Sequence, residues 1–246
     1  MKSNKKFLKR LKYLIPKHIK PKFENDEDLL AWNQEQGRLS SETILKKNKK
    51  IKIKNILGKS GIRELYLHCS FKNYRIEHAG HKKAVQAAKK YAEEFNKNIS
   101  SFIFSGRPGT GKNHLASAIG NYLILNGKSV LIITVADLMS NIKNTFNGNS
   151  NITEEILLNN LSNVDLLMID EIGVQIESKY EKIVINQIVD RRSSSKRSTG
   201  MLSNLDYRGL KILLGERIID RMRLGNSLWL TFEWESYRKR IQGNEC

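Results

Sequence analysis

A glycine-rich stretch near the middle of the chain, SFIFSGRPGTGKNHLASAI at 101–119, has the residue types and spacing of a phosphate-binding loop. Gly106, Gly111 and Lys112 satisfy the pattern GxxxxGK, between an apolar strand-like run and the start of a helix-like run. At such a junction, backbone N–H groups and the positive end of the helix point at a bound anion. The sequence therefore predicts a nucleotide site. Its expected contacts are Gly106, Arg107, Pro108, Gly109, Thr110, Gly111, Lys112, Asn113 and His114.

The residue after the loop lysine departs from the usual pattern. Loops of this kind continue with Ser or Thr, whose hydroxyl holds Mg²⁺, whereas this chain has Asn113. The carbonyl oxygen of an asparagine is also a hard ligand for Mg²⁺, although its reach differs from that of a hydroxyl. We therefore expect ATP and Mg²⁺ to bind, with Asn113 as a candidate metal ligand, and ATP hydrolysis to be slow.

An acidic pair follows 58 residues after Lys112, at the end of the apolar run VDLLMID. Asp170 is placed to hold Mg²⁺ through water, and Glu171 to polarise the water that attacks the γ-phosphate. Such a pair can also be a simple helix cap, but an upstream phosphate loop makes the catalytic interpretation the stronger one. The two elements together predict an ATPase.

Three further polar residues fit the same site. Asn204 ends a strand that we expect between those of Lys112 and Asp170, where its amide can orient water or sense the γ-phosphate. Asparagine at a strand end is also a common turn residue. Arg217 and Arg221 lie four residues apart on one helix face and can supply an arginine finger to a neighbouring chain's nucleotide, which requires self-assembly.

Alternating strand and helix patterns from residue 70 onward predict an α/β domain with a parallel five-stranded sheet. In the last predicted helix, residues at helical spacing form the stripe expected to face the sheet: Tyr180, Ile183, Val184, Gln187 and Ile188. The predicted strands are 102–105, 129–134, 164–170, 200–204 and 227–232, and the predicted helices are 112–126, 137–146, 153–162 and 178–192.

The N-terminal part, 1–57, is predicted to be a separate helical segment with a basic linker, and 58–246 the core domain. Apolar faces over 7–15 and 29–32 are too small to build a core, so we expect them to dock on a partner. A basic amphipathic helix on a membrane surface is the alternative.

Charge and composition narrow the class of protein. The net charge is +18. Residues 1–60 contribute +11 of it, because they contain 17 Lys and Arg but only 6 Asp and Glu. Such a positive field favours binding of nucleic acid. Coding bias of an AT-rich genome is the alternative cause. The chain has no apolar run of roughly 20 residues and no signal-peptide core. Because Cys69 and Cys246 lie far apart and outside metal-binding spacings, we expect a cytoplasmic protein without disulfide or zinc.

Several stretches resemble one known family along nearly the whole chain, including GRPGTGKNHLA, NNLSNVDLLMIDEIG and GERIIDRMRLGNSLW. They are similar to the bacterial replicative helicase loaders of the DnaC type, which are AAA+ P-loop ATPases related to the replication initiator. Asn after the loop lysine is shared by some of these loaders. The resemblance implies a chain that grips the hexameric replicative helicase, assembles in a spiral on it and opens its ring around single-stranded DNA, with ATP turnover stimulated by DNA or partner.

The resemblance also implies roles for individual residues. Lys112 matches the phosphate-binding lysine, Asn204 the first sensor, and Arg217 and Arg221 the arginine box, with Arg221 the preferred finger. Tyr180 can instead belong to the core, as its helical stripe suggests. The single-strand contacts implied are Phe146, Ser178 and Tyr180, flanked by Lys143, Lys179 and Lys182, and the helicase contacts implied are Leu11, Leu29 and Trp32.

One feature departs from the wider AAA+ pattern. Only 14 residues follow the last predicted strand, which is too few for the usual helical lid. The lid is therefore expected to be truncated or absent. Arg238 is then a weak candidate for a second sensor. Turnover should then depend more on a neighbour. Two other functions stay open on sequence grounds: a transposition-helper ATPase that binds duplex DNA, and a small-molecule kinase, which would need a lid and an acceptor pocket.

Overall fold

The computed structural model describes residues 27, 28, 30–32, 34–39, 41, 45, 61–95, 99–146, 152–174 and 178–237. The chain divides into two compact units, Met1–Lys47 and Asn48–Cys246. All described residues of the first unit are helical, which includes the predicted helix around Trp32. The predicted boundary between residues 57 and 58 falls outside the described residues and stays a prediction.

The second unit is built on a five-stranded sheet in the order β2-β3-β4-β1-β5, with each neighbouring pair parallel. This confirms the predicted sheet and the predicted position of β4 between β1 and β3. Because all strands run in one direction, their carboxyl ends meet at the same edge of the sheet. The strands are β1 (Phe102–Gly106), β2 (Val130–Thr134), β3 (Leu166–Ile172), β4 (Ser198–Ser203) and β5 (Leu228–Phe232).

Several helices begin at a Ser, Thr or Asp residue whose side chain caps the first turn. Thr134, Thr153, Ser178 and Asp206 each accept a backbone N–H from the first turn that follows, which satisfies a donor the helix leaves unpaired. The helices are α1 (Ala79–Glu94), α2 (Lys112–Leu125), α3 (Val135–Thr145), α4 (Glu154–Asn163), α5 (Lys179–Ser194), α6 (Tyr207–Leu214) and α7 (Glu216–Met222).

Two hydrophobic cores lie on the two faces of the sheet. Alternate residues of a strand point to opposite faces, so Phe102 and Phe104 pack with α1 and α2, whereas Ile103 packs with helices α3 to α7. The helices therefore cover both faces and leave the carboxyl edge of the sheet for the functional site. Within the described ranges, no helix has both the length and the apolar character needed to cross a membrane.

The predicted stripe of α5 was wrong in part. Tyr180 is 40% exposed and Ile183 is 51% exposed, and the buried face runs instead through Val184, Ile185, Ile188 and Val189 to Arg192. The buried face is therefore rotated relative to the predicted stripe, and it includes Arg192, which is fully buried.

Arg192 joins the end of α4 to the start of β4. Its guanidinium donates to the carbonyl oxygens of Leu161 at 2.8 Å and Val164 at 3.0 Å, and its Nε donates to Thr199 Oγ1 at 3.1 Å. It also donates to the carbonyl oxygen of Ser198. Carbonyls at a helix end have no partner within the helix, and this buried arginine supplies several of them with one.

Replacing Arg192 by lysine should therefore destabilise the fold. A single ammonium group in place of the guanidinium is too compact to reach both the α4 carbonyls and Thr199, and the loss is expected to lower the free energy of unfolding by about 3 kcal/mol. Urea unfolding followed by circular dichroism measures it. The matched control is Arg197→Lys at a partly exposed ion pair with Asp165, expected to cost under about 1 kcal/mol. Equal losses in the two variants would contradict this account of Arg192.

Candidate functional site

The predicted phosphate loop lies at the carboxyl edge of the sheet, between the end of β1 and the start of α2. Gly106, Gly109 and Gly111 have φ values of 118°, 72° and 92°, in the region that glycine adopts without strain. At Gly106 a Cβ would lie 2.4 Å from the carbonyl oxygen of Phe232 on β5. The glycines thus allow the tight turn and the close approach to the neighbouring strand that the loop requires.

Lys112 is the centre of the loop. Its Nζ donates to the carbonyl oxygens of Gly106 and Arg107, both at 2.7 Å, and to Asn204 Oδ1 at 2.9 Å. The side chain is buried, and burial lowers its pKa to about 8, a shift that the nearby Asp170 carboxylate opposes. The ammonium is therefore held in a cradle of three oxygen acceptors. The oxygens of a bound phosphate can replace these acceptors.

Asp170 ends the pairing of β3 with β2 and is buried. Its Oδ2 accepts a hydrogen bond of 2.5 Å from Asn113 Nδ2, and its Oδ1 accepts one of 2.7 Å from the backbone N–H of Glu171. Burial raises the pKa of Asp170, and the hydrogen bond from Glu171 opposes that rise. The side-chain amide of Asn113 thus binds the Asp170 carboxylate through its nitrogen. The amide oxygen of Asn113 is the atom that could bind another ligand.

Glu171 has an unusual backbone conformation, with a φ of 60°. The pairing of β3 with β4 shifts register between Ile169 and Ile172, which brackets this residue. The register shift turns the side chain of Glu171 out to the solvent-exposed edge beside Asp170. A non-glycine residue in the left-handed region costs about 1 kcal/mol or more, and such strain is characteristic of functional sites.

A cleft of about 530 Å³ brings the predicted residues together. Lys112, Asn113, Asp170, Glu171 and Asn204 all line it, although they come from three separate stretches of the chain. Its volume is within the range of small-molecule sites. The wall also contains Pro108, Gly109, Thr110, Gly111 and His114.

Two stretches that the sequence reasoning missed complete the cleft. One precedes α1 and contributes Tyr66 and Tyr74, and the other follows β5 and contributes Trp234 and Tyr237. Burial raises the pKa of Tyr74 to about 12, which keeps its hydroxyl protonated as a donor. The only signal available in the sequence was the presence of aromatic residues in otherwise polar stretches.

His114 is anchored to the first of these stretches. Its Nε2 lies 3.0 Å from Asn73 Oδ1 and 3.3 Å from the carbonyl oxygen of Ser70, and its ring packs edge-on against Tyr74. Burial lowers its pKa. These contacts fix the stretch before α1 to the start of α2, so His114 shapes the cleft wall.

Arg217 and Arg221 are outside the cleft within one chain. Both side chains pair with Asp190 of α5, at 2.9 Å and 2.7 Å. Arg217 is 72% exposed and Arg221 is 26% exposed, so Arg217 is the more accessible to a second molecule, although the resemblance favours Arg221. A role of either in a neighbour's site stays a prediction.

The predicted DNA contacts lie at two helix ends. Phe146 follows α3 and is 65% exposed, and Tyr180 in the first turn of α5 is 40% exposed. Ser178 is the N-cap of α5 and accepts the N–H of Glu181 at 3.1 Å. Two large aromatic side chains exposed to solvent fit a stacking surface, and the alternative in which Tyr180 is core is wrong.

The predicted partner contacts fall in the first unit. Trp32 is helical and 40% exposed. Leu11, Leu29 and the weak sensor candidate Arg238 lie outside the described residues, and their roles stay predictions.

Comparisons with known proteins give concordant results. The family model described as IstB-like ATP binding protein matches residues 34–244. The chain is 82% identical over 245 residues to the replicative helicase loader DnaC of Buchnera aphidicola subsp. Baizongia pistaciae, and 60% identical over 245 residues to that of Escherichia coli K12, with both chains covered completely in each case. A crystal structure of the DnaC helicase loader superposes with a TM-score of 0.61 at 21% identity, covering 70% of this chain and 100% of that one, which supports the fold.

The pKa of Lys112 predicts how ligand affinity depends on pH. The cradle binds phosphate best when Lys112 is protonated, so affinity should be nearly full at about pH 7 and should fall as pH rises through the pKa of about 8. Between about pH 7 and about pH 9 the dissociation constant of ATP with Mg²⁺ should rise about tenfold, measured by calorimetry. Lys112→Arg should bind more weakly but without this pH dependence, because a guanidinium stays charged. A flat profile for the wild type would contradict the assignment.

Proposed function

The chain belongs to the family of IstB-like ATP binding proteins and, within it, to the bacterial replicative helicase loaders of the DnaC type, and from this premise we propose how it works. It is an ATP-dependent loader that binds the hexameric replicative helicase, opens its ring and places it on single-stranded DNA. The observation that carries the proposal is the cleft in which the loop lysine, the acidic pair and Asn204 meet. A transposition helper is not favoured, because the loaders are similar along the whole chain, N-terminal unit included.

ATP binds with its phosphates in the loop. The backbone N–H groups of the loop and the start of α2 face the phosphates, and Lys112 exchanges its carbonyl acceptors for β- and γ-phosphate oxygens. Asn204, already bonded to Lys112, lies where it can sense whether a γ-phosphate is present. The cradle is therefore formed before the nucleotide arrives, which reduces the cost of ordering it.

The residues present fit a magnesium ion. Asp170 and Asn113 are linked by the hydrogen bond that Asn113 Nδ2 donates to Asp170 Oδ2, their other side-chain oxygens would be the metal ligands, and a dication would offset the burial that raises the pKa of Asp170. When bound, Mg²⁺ neutralises charge on the β- and γ-phosphates.

Hydrolysis depends on Glu171 and on a neighbouring molecule. Glu171 is the general base that polarises the attacking water, and Asn204 orients that water. Arg217 or Arg221 of an adjacent copy in a spiral on the helicase adds positive charge at the γ-phosphate from outside the chain. Turnover by the isolated chain is consequently slow and is stimulated by assembly on DNA and helicase.

Single-stranded DNA binds along the ends of α3 and α5. Phe146 and Tyr180 stack on bases, Ser178 contributes a hydroxyl, and Lys143, Lys179 and Lys182 follow the phosphates. The net charge of +18 supports this proposal, because positive charge attracts the phosphates of DNA whatever the base sequence. The first unit binds the helicase through Trp32, Leu11 and Leu29, and this occurs in the cytoplasm.

Two substitutions separate nucleotide binding from turnover. Lys112→Ala should abolish ATP binding. Without the ammonium, the carbonyl oxygens that surround it would repel the negatively charged phosphates. Glu171→Gln should keep the ATP affinity but lower the rate of phosphate release about 100-fold or more. Glu93→Gln on α1 is the matched control for charge, with both properties unchanged. Equal ATP affinity in the wild type and Lys112→Ala would refute the cradle.

The loader function is tested by complex formation with the helicase. The full chain mixed with its replicative helicase and ATP should elute from a sizing column as one complex. Trp32→Ala should weaken that complex at least about tenfold, because large aromatic side chains dominate such contacts. Leu125→Ala, at an equally apolar side chain of the second unit that is 87% exposed, should leave it unchanged. Lack of a complex, or equal behaviour of the two variants, would count against the proposal.

A further inference from the structure

Donors from two other stretches of the cleft wall bind carbonyl oxygens of the phosphate loop. The indole Nε1 of Trp234 donates to the carbonyl oxygen of Thr110 at 2.9 Å, and the Tyr74 hydroxyl donates to the same oxygen at 3.2 Å. The backbone N–H of Tyr237 donates to the carbonyl oxygen of Gly109 at 2.9 Å. Two successive peptide carbonyls of the loop are thus held from outside.

Holding these carbonyls also orients the amide groups that face the ligand. In a planar trans peptide, the carbonyl of one residue and the N–H of the next point in opposite directions. A donor that fixes the Thr110 carbonyl therefore aims the N–H of Gly111 into the cradle, and the bond to the Gly109 carbonyl does the same for the N–H of Thr110. Loop amides of this kind grip the α- and β-phosphates.

Trp234 is itself held rigidly. Its ring packs on Phe232 with centroids 4.9 Å apart, on His81 at 4.6 Å and on His78 at 5.3 Å. The two histidine rings stack on each other at 3.9 Å, and His81 is buried. An indole enclosed on several sides offers its N–H in a fixed direction, so little entropy is lost when the loop closes on a ligand.

We propose that Trp234 is a positioning residue for nucleotide binding, which holds the Thr110 carbonyl of the phosphate loop and so sets the direction of the Gly111 amide in the same peptide. The proposal rests on the proposed function, because it assumes that the cradle binds a nucleoside di- or triphosphate. It gives the short stretch after β5 a role in ATP binding through its hydrogen bonds to the Gly109 and Thr110 carbonyls.

Trp234→Phe tests the proposal, because it keeps a ring in the aromatic cluster and removes the N–H donor. Its dissociation constants for both ATP and ADP with Mg²⁺ should rise by the same factor of about three to ten, since both ligands carry the β-phosphate that the loop amides grip. The KM for ATP should rise equally, with kcat unchanged, as expected when binding in the ground and transition states is lost together.

The chain offers a matched control in Trp229, whose indole Nε1 donates to Ser105 Oγ at 3.1 Å on the strand before the loop. Trp229→Phe also loses one indole hydrogen bond, but none to a loop carbonyl, and should bind both nucleotides like the wild type. Thermal unfolding of the two variants shows whether their stabilities are comparable.

Different outcomes have different consequences. Wild-type affinity in Trp234→Phe, or an equal loss in Trp229→Phe, would overturn the role of Trp234 and leave the ATPase intact. A wild-type chain that binds neither ATP nor ADP would overturn the proposed function and, with it, this inference. If Trp234→Phe does not fold, 3-benzothienylalanine incorporated at position 234 keeps the bicyclic ring and replaces only the N–H by sulfur, and wild-type nucleotide affinity in that protein would equally overturn the proposal.

Discussion

The buried ammonium of Lys112 is the interaction on which the rest of the site depends. A buried charge without partners is strongly unfavourable, and here three oxygen acceptors from the loop and from Asn204 surround it. To place those acceptors, β1 must end at Gly106, α2 must begin at Lys112 and β4 must lie next to β1. The order of strands in the sheet is therefore also the condition for binding phosphate, because only this order brings Asn204 to the lysine.

Asp170 provides the opposite charge and explains how an asparagine functions after the loop lysine. In the usual loop a hydroxyl at this position donates to the acidic residue and accepts a metal bond. An asparagine divides these two tasks between its nitrogen and its oxygen, and the bond from Asn113 Nδ2 to Asp170 is the first of them. Asparagine at this position thus preserves the linkage between α2 and β3.

Much of the fold was predictable, because its buried strands are short apolar runs and its site residues lie where those runs end. Asp170, Asn204 and Gly106 follow directly from that rule. The aspects that were missed depend on tertiary structure. The buried face of α5 includes Arg192, a charged side chain whose carbonyl partners lie on other elements, and α1 is rich in Ala and Lys with few large apolar residues. The contacts of Trp234 and Tyr74 with the loop join stretches far apart in sequence, and no local pattern reveals them.

Helix α5 carries, towards its two ends, residues on which the predictions for sites outside the cleft depend. Its N-terminal turn carries Ser178 and Tyr180, the predicted DNA contacts, and Asp190 near its other end anchors Arg217 and Arg221. These two ends lie about 18 Å apart along the helix axis, and the buried face between them packs against the sheet. A rigid helix fixes the position of the arginines relative to the DNA contacts. The predicted DNA contacts and the arginine pair therefore cannot move relative to each other unless α5 shifts on the sheet.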